Sequence, residues 1–379
     1  MPLTLREGSA AHRAYVTTGW LLLVVAALYV PLAVDVGFTP GSIDRPSRIA
    51  QLNDTIAFAV AILGLNIVIG DSGQLSLGQS AFIGLGAYTT VILVADHGWS
   101  YLATLPVSAG VCFAAGLALG IPATRVRGMY LGILTFAVAH VFPSLVLRFG
   151  WLTGGVNGKG PGRTEAELVA PTWVPFADDG RIADPLWVYC LVLPIAVVLF
   201  ALAANFRRSR PGRALLAVRD DEASAVATGI DVPLYKAMAF GAGAAYGGIA
   251  GSMLMMNRPF ATDDMFGTRM ALFLLVALVA GGAGTIAGAV PGAFVYLFVP
   301  YFVGEWTFDQ RGMPPVLREA AAPLFDVLDP AGVAAASAVF GVALLVLMFV
   351  SPGGLVGGAR RLRDRVVRIE PNPTWLRRR

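Results

Sequence analysis

The sequence predicts an all-α integral membrane protein of about ten transmembrane helices, most of them near the twenty or so apolar residues that a bilayer crossing needs and several shorter. Three observations predict it: the composition, the spacing of the apolar runs, and the sorting of charge between alternate loops. Apolar residues fill 56% of the 379 positions, charged residues only 14%, and the mean hydropathy is +0.69. A soluble domain averages about a quarter charged residues. A soluble fold of this length would lack polar surface, whereas lipid can solvate the excess apolar area.

Ten runs are candidate spans: Gly19–Val36, Gln51–Gly70, Ser80–Ala95, Tyr101–Ile121, Tyr130–Phe149, Leu186–Asn205, Leu234–Met256, Arg269–Ala287, Val290–Val303 and Gly332–Val350. No small-residue cleavage signal follows the first run, so an uncleaved first helix is expected rather than a signal peptide. With the N-terminus cytoplasmic, alternation places Arg6, Arg13, Arg125, Arg127, the arginines from Arg207 to Arg219, Lys236 and the arginines of the C-terminal tail inside. The outer loops then carry more acids than bases. Basic residues accumulate on the cytoplasmic side of membrane proteins, so both termini are expected inside. The resulting division is a cytoplasmic segment 1–18, a transmembrane domain 19–358 and a basic cytoplasmic tail 359–379. Within the domain, 206–233 is an inner loop, and 150–185 and 304–331 are outer loops.

Metal and thiol chemistry find little support. Cys112 and Cys190 lie in apolar runs and read as buried small hydrophobes. His12, His97 and His140 are scattered, with no zinc-like spacing, so neither a metal site nor a resident cofactor is expected. Nothing points to a nucleic-acid partner.

Three features can carry function. The first is the run from Gly64 to Tyr88, where two apolar half-segments flank a polar break, Asp71–Ser76. Polar residues at a break can line a pathway while neighbouring helices satisfy the freed backbone; an ordinary tight turn is the plainer alternative. Intramembrane polar residues are pathway candidates by default, which here selects Asn66, Ser72, Gln74, Ser76, Gln79, Thr135 and His140. The second feature is small residues four apart. Gly243, Gly247 and Gly251 share one face of the seventh span, and Gly284, Gly288 and Gly292 follow around the eighth and ninth. Such faces let helix backbones approach closely. The third is the inner loop, where Ser209 can cap a helix with Pro211 in its first turn and Gly229 ending it. Leu215, Val218, Ala225 and Val226 fall on one side of it. Its acids, Asp220 to Glu222, argue against pure binding to an anionic lipid surface and favour a protein partner.

Three motif-like stretches are set aside. Gly158-Lys159 resembles the end of a phosphate loop, but Thr153 and Gly160 stand where Gly and Ser or Thr are required. The chain is therefore expected to lack an ATP site of its own. Gly70-Asp-Ser-Gly73 resembles the serine loop of rhomboid-type intramembrane proteases, a reading that needs a histidine base beside Ser72. Gly282–Ala287 fits a dinucleotide fingerprint only superficially, with no strand before it. A secondary transporter would need intramembrane acids for ion coupling, and the spans offer little beyond Asp71, Asp35 and Asp54 near their edges.

Taken together, four blocks resemble one family. They are Gly64–Tyr88; Arg127-Gly-Met-Tyr-Leu with Thr135 and Leu152–Gly158; Gly212-Arg-Ala-Leu with Arg219-Asp-Asp-Glu-Ala and Gly229 to Lys236; and Val279–Ala289 with Ser351-Pro-Gly-Gly-Leu355. In this order the sequence resembles the permease subunits of bacterial branched-chain amino acid ABC importers, specifically the larger, M-type permease, over roughly Asn53 to Gly358. Similar relatives move urea, short amides and aromatic acids.

The resemblance implies a half-pore in a bacterial inner membrane, completed by a homologous second permease. Two cytoplasmic ATPases would drive it, and an extracytoplasmic binding protein would feed it. It makes the inner loop a coupling helix, with Arg213, Arg219, Asp220, Asp221, Glu222, Ala223 and Gly229 directed to the ATPase. It implies a permease without catalysis of its own. Separately, the alternating topology runs spans two to five opposite to spans seven to ten, the relation expected of an inverted repeat. Gln79 departs from the pattern, since many relatives carry His there, and the stretch 160–185 matches no part of it.

Overall fold

The computed structural model describes residues 3–6, 46–126, 128–160, 185–258, 260–297 and 353–370. Among these, seven helices are long and apolar enough to cross a membrane. They are α1 (Pro46–Asn66, continued by a π-helical turn to Asp71), α2 (Gln79–His97), α3 (Tyr101–Ala123), α4 (Met129–Arg148), α5 (Pro185–Arg208), α8 (Val232–Asn257) and α9 (Thr268–Gly281, preceded by a 3-10 turn). Two short helices, α6 (Arg210–Asp220) and α7 (Glu222–Ala227), make the inner loop. The shorter α10 (Ile286–Leu297) follows α9, and α11 (Gly354–Val366) closes the described chain. The expected first and tenth spans, the stretch 161–184 and the outer loop 304–331 lie outside the described residues.

Helix α8 is the centre of the bundle, packed by α1, α2 and α3. Its small residues make that possible. A Cβ on Gly251 would stand 2.0 Å from the Ile83 carbonyl oxygen, and one on Gly243 would stand 2.5 Å from Val68. Gly247 meets Gln79 and Phe82 in the same way. These are the close backbone approaches that stand in for hydrophobic driving force inside a bilayer. Around this core, α3, α4 and α5 turn apolar faces outward, with Leu102, Val111, Ile133, Leu145, Val198 and Leu202 exposed. Lipid solvates such faces without cost.

Several polar groups inside the bundle pair across helices. Thr90 donates to Ser252 at 2.7 Å and meets Ser108 at 3.2 Å, joining α2, α3 and α8. At one end, Asp54 of α1 accepts from Asn257 and pairs with Arg258, both at 2.6 Å. Lys159 of the phosphate-loop-like motif is a strut: its Nζ donates to Asp96 at 2.6 Å and to the Leu152 carbonyl at 2.8 Å.

Several expectations change. The eighth candidate span, Arg269–Ala287, stops at Gly281, because Gly282 and Gly284 have φ of 120° and 77° and break the helix; a new apolar helix begins at Ile286. Gly288 and Gly292 are packing positions, against the Gly281 and Ala277 carbonyls, but Gly284 belongs to the break. The inner loop is two helices, not one. Asp221 leaves helical geometry and caps α7, its Oδ1 accepting from the Ala223 N–H at 3.0 Å. That kink buries Leu215, Val218 and Ala225 but turns Val226 outward, 61% exposed. The described chain is all-α as expected, apart from one short pairing of Leu3–Arg6 in parallel with Val367–Glu370.

Candidate functional site

The polar break after α1 and the α6–α7 loop form one site. At the end of α1 the hydrogen bonding widens to a π turn over Ile67–Asp71, with the Ser72 N–H reaching the Ile67 carbonyl at 3.2 Å. Gly73 follows with φ 72°, a left-handed conformation that suits glycine. Single π turns inside α-helices mark functional positions more often than chance allows.

Six of the seven pathway candidates are buried around this break. Ser72 donates to the Val68 carbonyl at 2.7 Å. Gln74 donates from Nε2 to Ser72 at 2.8 Å and to the Lys236 carbonyl at 3.3 Å. Ser76 accepts from the Gly78 N–H, and Thr135 of α4 accepts from the Leu77 N–H at 2.9 Å. Gln79 spends its amide on the Ala61 and Gly243 carbonyls, both at 3.1 Å, and so ties α1 to α8. Asn66 accepts from the Gly284 N–H at 2.7 Å, which joins this break to the one after α9. These side chains hold the break together in this conformation.

His140 stands apart. It lies near the middle of α4 on an exposed face, its Nδ1 3.2 Å from the Thr268 hydroxyl. Ser72 is bonded to Val68 and Gln74 instead, so the protease reading has no Ser72–His140 pair here.

Charged residues bind the inner loop to the break. Arg207, at the end of α5, lies 3.4 Å from Asp71, which is 4% exposed. The Arg219 guanidinium donates to the Gly70 carbonyl, and Lys236 of α8 pairs with Glu222 of α7. Arg213 bonds the Arg208 carbonyl at 2.5 Å, while Asp220, Asp221, Ala223 and Gly229 are exposed. The Ser224 hydroxyl and the Ala223 N–H hold the Asp221 carboxyl below its ordinary range. Between the break and the loop lies a cavity of about 640 Å³, lined by Ser72, Gln74, Asp221, Glu222, Lys236 and apolar neighbours.

Arg207 and Lys236 were not among the sequence candidates. The signal was available. Lys236 is an ammonium two positions inside an apolar run, and Arg207 ends a span opposite the acid of the break. Each needed a partner of opposite charge, since unpaired charge at membrane depth is costly.

Residues 48–348 match the family described as "Branched-chain amino acid transport system / permease component". The high-affinity branched-chain amino acid transport system permease protein LivM of Escherichia coli (strain K12) is 31% identical over 283 residues, 70% of this chain and 64% of LivM. LivM of Salmonella typhimurium is 31% identical over 277 residues, with the same coverage. The chain thus spans somewhat less than two thirds of the LivM length. The ribose import permease protein RbsC of Escherichia coli (strain K12) is 27% identical over 305 residues, 77% of this chain and 88% of RbsC. No solved structure matches the chain.

Proposed function

Because the chain belongs to the branched-chain amino acid transport system permease family, we propose that it is the membrane-spanning subunit of an ATP-driven importer for branched-chain or other hydrophobic amino acids. It forms half of a translocation pathway in a bacterial inner membrane. A homologous second permease supplies the other half, two cytoplasmic ATPases supply the energy, and an extracytoplasmic binding protein delivers substrate. The chain itself carries no ATP site.

The observation that carries this reading is the two-sided inner loop. Its apolar side, Leu215, Val218 and Ala225, is buried, while Asp220, Asp221, Glu222 and Ala223 face outward. The same loop is tied by Arg219 and Glu222 to α1 and α8. A polar surface fastened to the helices it must move suits an ATPase-docking element. The pairing of Leu3–Arg6 with Val367–Glu370 supports an even number of crossings, with both termini on one side; the bias of basic residues assigns that side to the cytoplasm. Of the pathway candidates, His140 is the one already exposed, and the buried six would reach the pathway only when the break rearranges.

A second substrate reading, a sugar, is favoured by the likeness to the ribose permease over 77% of the chain. Uptake of labelled leucine and labelled ribose in a strain lacking this chain, with and without its return on a plasmid, separates the two. The proposal expects restored leucine uptake and unchanged ribose uptake. The reverse result transfers the assignment to sugars.

A further inference from the structure

We propose that Arg219 is a positioning residue that joins the inner loop to both helix breaks, so that loop and breaks move as one body. The idea rests on the permease reading above and deepens it. In the sequence Arg219 reads as one of several residues facing the ATPase; in the structure the residue keeps solvent exposure, but its guanidinium reaches back to the Gly70 carbonyl.

Three segments converge on this side chain. The first is the π turn at the end of α1, whose Gly70 carbonyl accepts from Arg219. A broken helix leaves carbonyls without intrahelical donors, and a guanidinium is well suited to such a task, carrying five donors on a rigid plane. The second is Gly73, where a Cβ would stand 3.1 Å from the Arg219 Cγ and 3.5 Å from its Cβ. The third is the break after α9: a Cβ on Gly284 would stand 3.1 Å from Arg219 Nη1. The two breaks are also bonded to each other through Asn66 and the Gly284 N–H, and a Cβ on Gly70 would strike both groups, at 2.2 and 2.8 Å. Gly73 and Gly284 thus clear space for a side chain that comes from the loop, while Gly70 makes room for the bond between Asn66 and Gly284.

The arrangement separates docking from transmission. Asp220, Ala223 and the outward side of α7 are free to meet a partner, while Arg219, two residues from the kink at Asp221, carries displacement of α6 into α1 and into the α9–α10 junction.

The test uses the full chain assembled with its second permease and ATPases in liposomes. Co-purification of the ATPases, ATP hydrolysis and substrate uptake are measured together. Arg219→Gln is expected to retain ATPase binding and hydrolysis while uptake falls tenfold or more, raising the ATP spent per substrate moved. Arg219→Lys is expected to restore part of the uptake. Normal uptake in Arg219→Gln overturns the proposal, as does loss of ATPase binding, which would make Arg219 a docking contact.

A second variant guards against misfolding of the first. The Gly73→Cys/Arg219→Cys pair has Cβ atoms at disulfide spacing, so oxidation replaces the polar contact by a covalent one, and Gly73→Cys alone measures the cost of a side chain at this left-handed position. Uptake is expected when the pair is oxidised and is expected to fall on reduction. An oxidised pair that transports no better than the reduced one overturns the single-body motion. A parent chain that recruits no ATPase overturns the permease reading itself, whereas a working parent with indifferent Arg219 variants overturns this inference alone.

Discussion

Asp71, at the end of the π turn, and Arg207, at the end of α5, meet at 3.4 Å at the end of the bundle that carries the α6–α7 loop. The acid is almost completely enclosed, and the arginine keeps part of its side chain in solvent. Removing the arginine leaves a buried carboxylate without its counter-ion, which is worse than never having had the pair. Arg207→Ala is expected to destabilise the folded protein by about 2 kcal/mol, discounted for the exposed partner. Asp71→Asn/Arg207→Gln is expected to recover most of it. Thermal unfolding in detergent, followed as a double-mutant cycle, measures both.

Glycines along the bundle divide sharply by surroundings. Gly251→Ala would place its Cβ 2.0 Å from the Ile83 carbonyl oxygen, and α8 and α2 would have to separate. Overpacking of this kind costs about 1–3 kcal/mol or more, so folded yield is expected to fall. Gly110 lies within α3 with nothing within 4 Å of its would-be Cβ. Gly110→Ala is expected to be neutral or to stabilise by about 0.5–1 kcal/mol, from helix propensity alone. Equal effects at the two positions would contradict the packing described.

The kink in the inner loop depends on an ionised Asp221. The hydroxyl of Ser224 and the N–H of Ala223 lower its pKa below the ordinary value of 3.8. A lowered folded pKa contributes stability above the ordinary value, lost as pH falls through the folded one. Protection of the Ala223 amide, read by hydrogen exchange, is therefore expected to hold from neutral pH down through pH 3.8 and to fade below it. Asp221→Ala is expected to remove that protection at neutral pH.

At the other end of α1, Asp54 is 3% exposed and rests on Arg258 and Asn257. Arg258→Ala is expected to lower the unfolding temperature, and Asp54→Asn is expected to reduce that loss. If Arg258→Ala leaves the unfolding temperature unchanged, solvent and not Arg258 balances the carboxylate.

Much of this fold is legible in the residues. Seven of the ten expected spans coincide with the seven long helices, and the ninth overlaps α10, because apolar runs bounded by Gly, Pro and charge leave few other choices. The glycine face of α8 is legible for the same reason, since spacing by four repeats one side of a helix. What the sequence hides is contact between distant segments. Nothing near Arg219 shows that its guanidinium turns to Gly70, 149 positions away. Nothing near Asn66 shows that it bonds the break at Gly284. The kink at Asp221 was hidden differently: an aspartate inside a helical pattern serves as a surface residue or as a new cap, and only the burial of Val218 and Ala225 on two separate turns decides it. The site's inner wall was therefore readable as a polar break, and its ties to the loop were not.

The proposed passage of amino acids through this chain, under the control of a partner's ATP, is decided by accumulation of labelled leucine in sealed vesicles containing the chain with its second permease, ATPases and binding protein. Accumulation is expected to require ATP, to require this chain, and to fall when Arg219 is replaced by Gln while hydrolysis continues. Leucine entry that proceeds without ATP, or that is unaffected by omitting the chain, contradicts it.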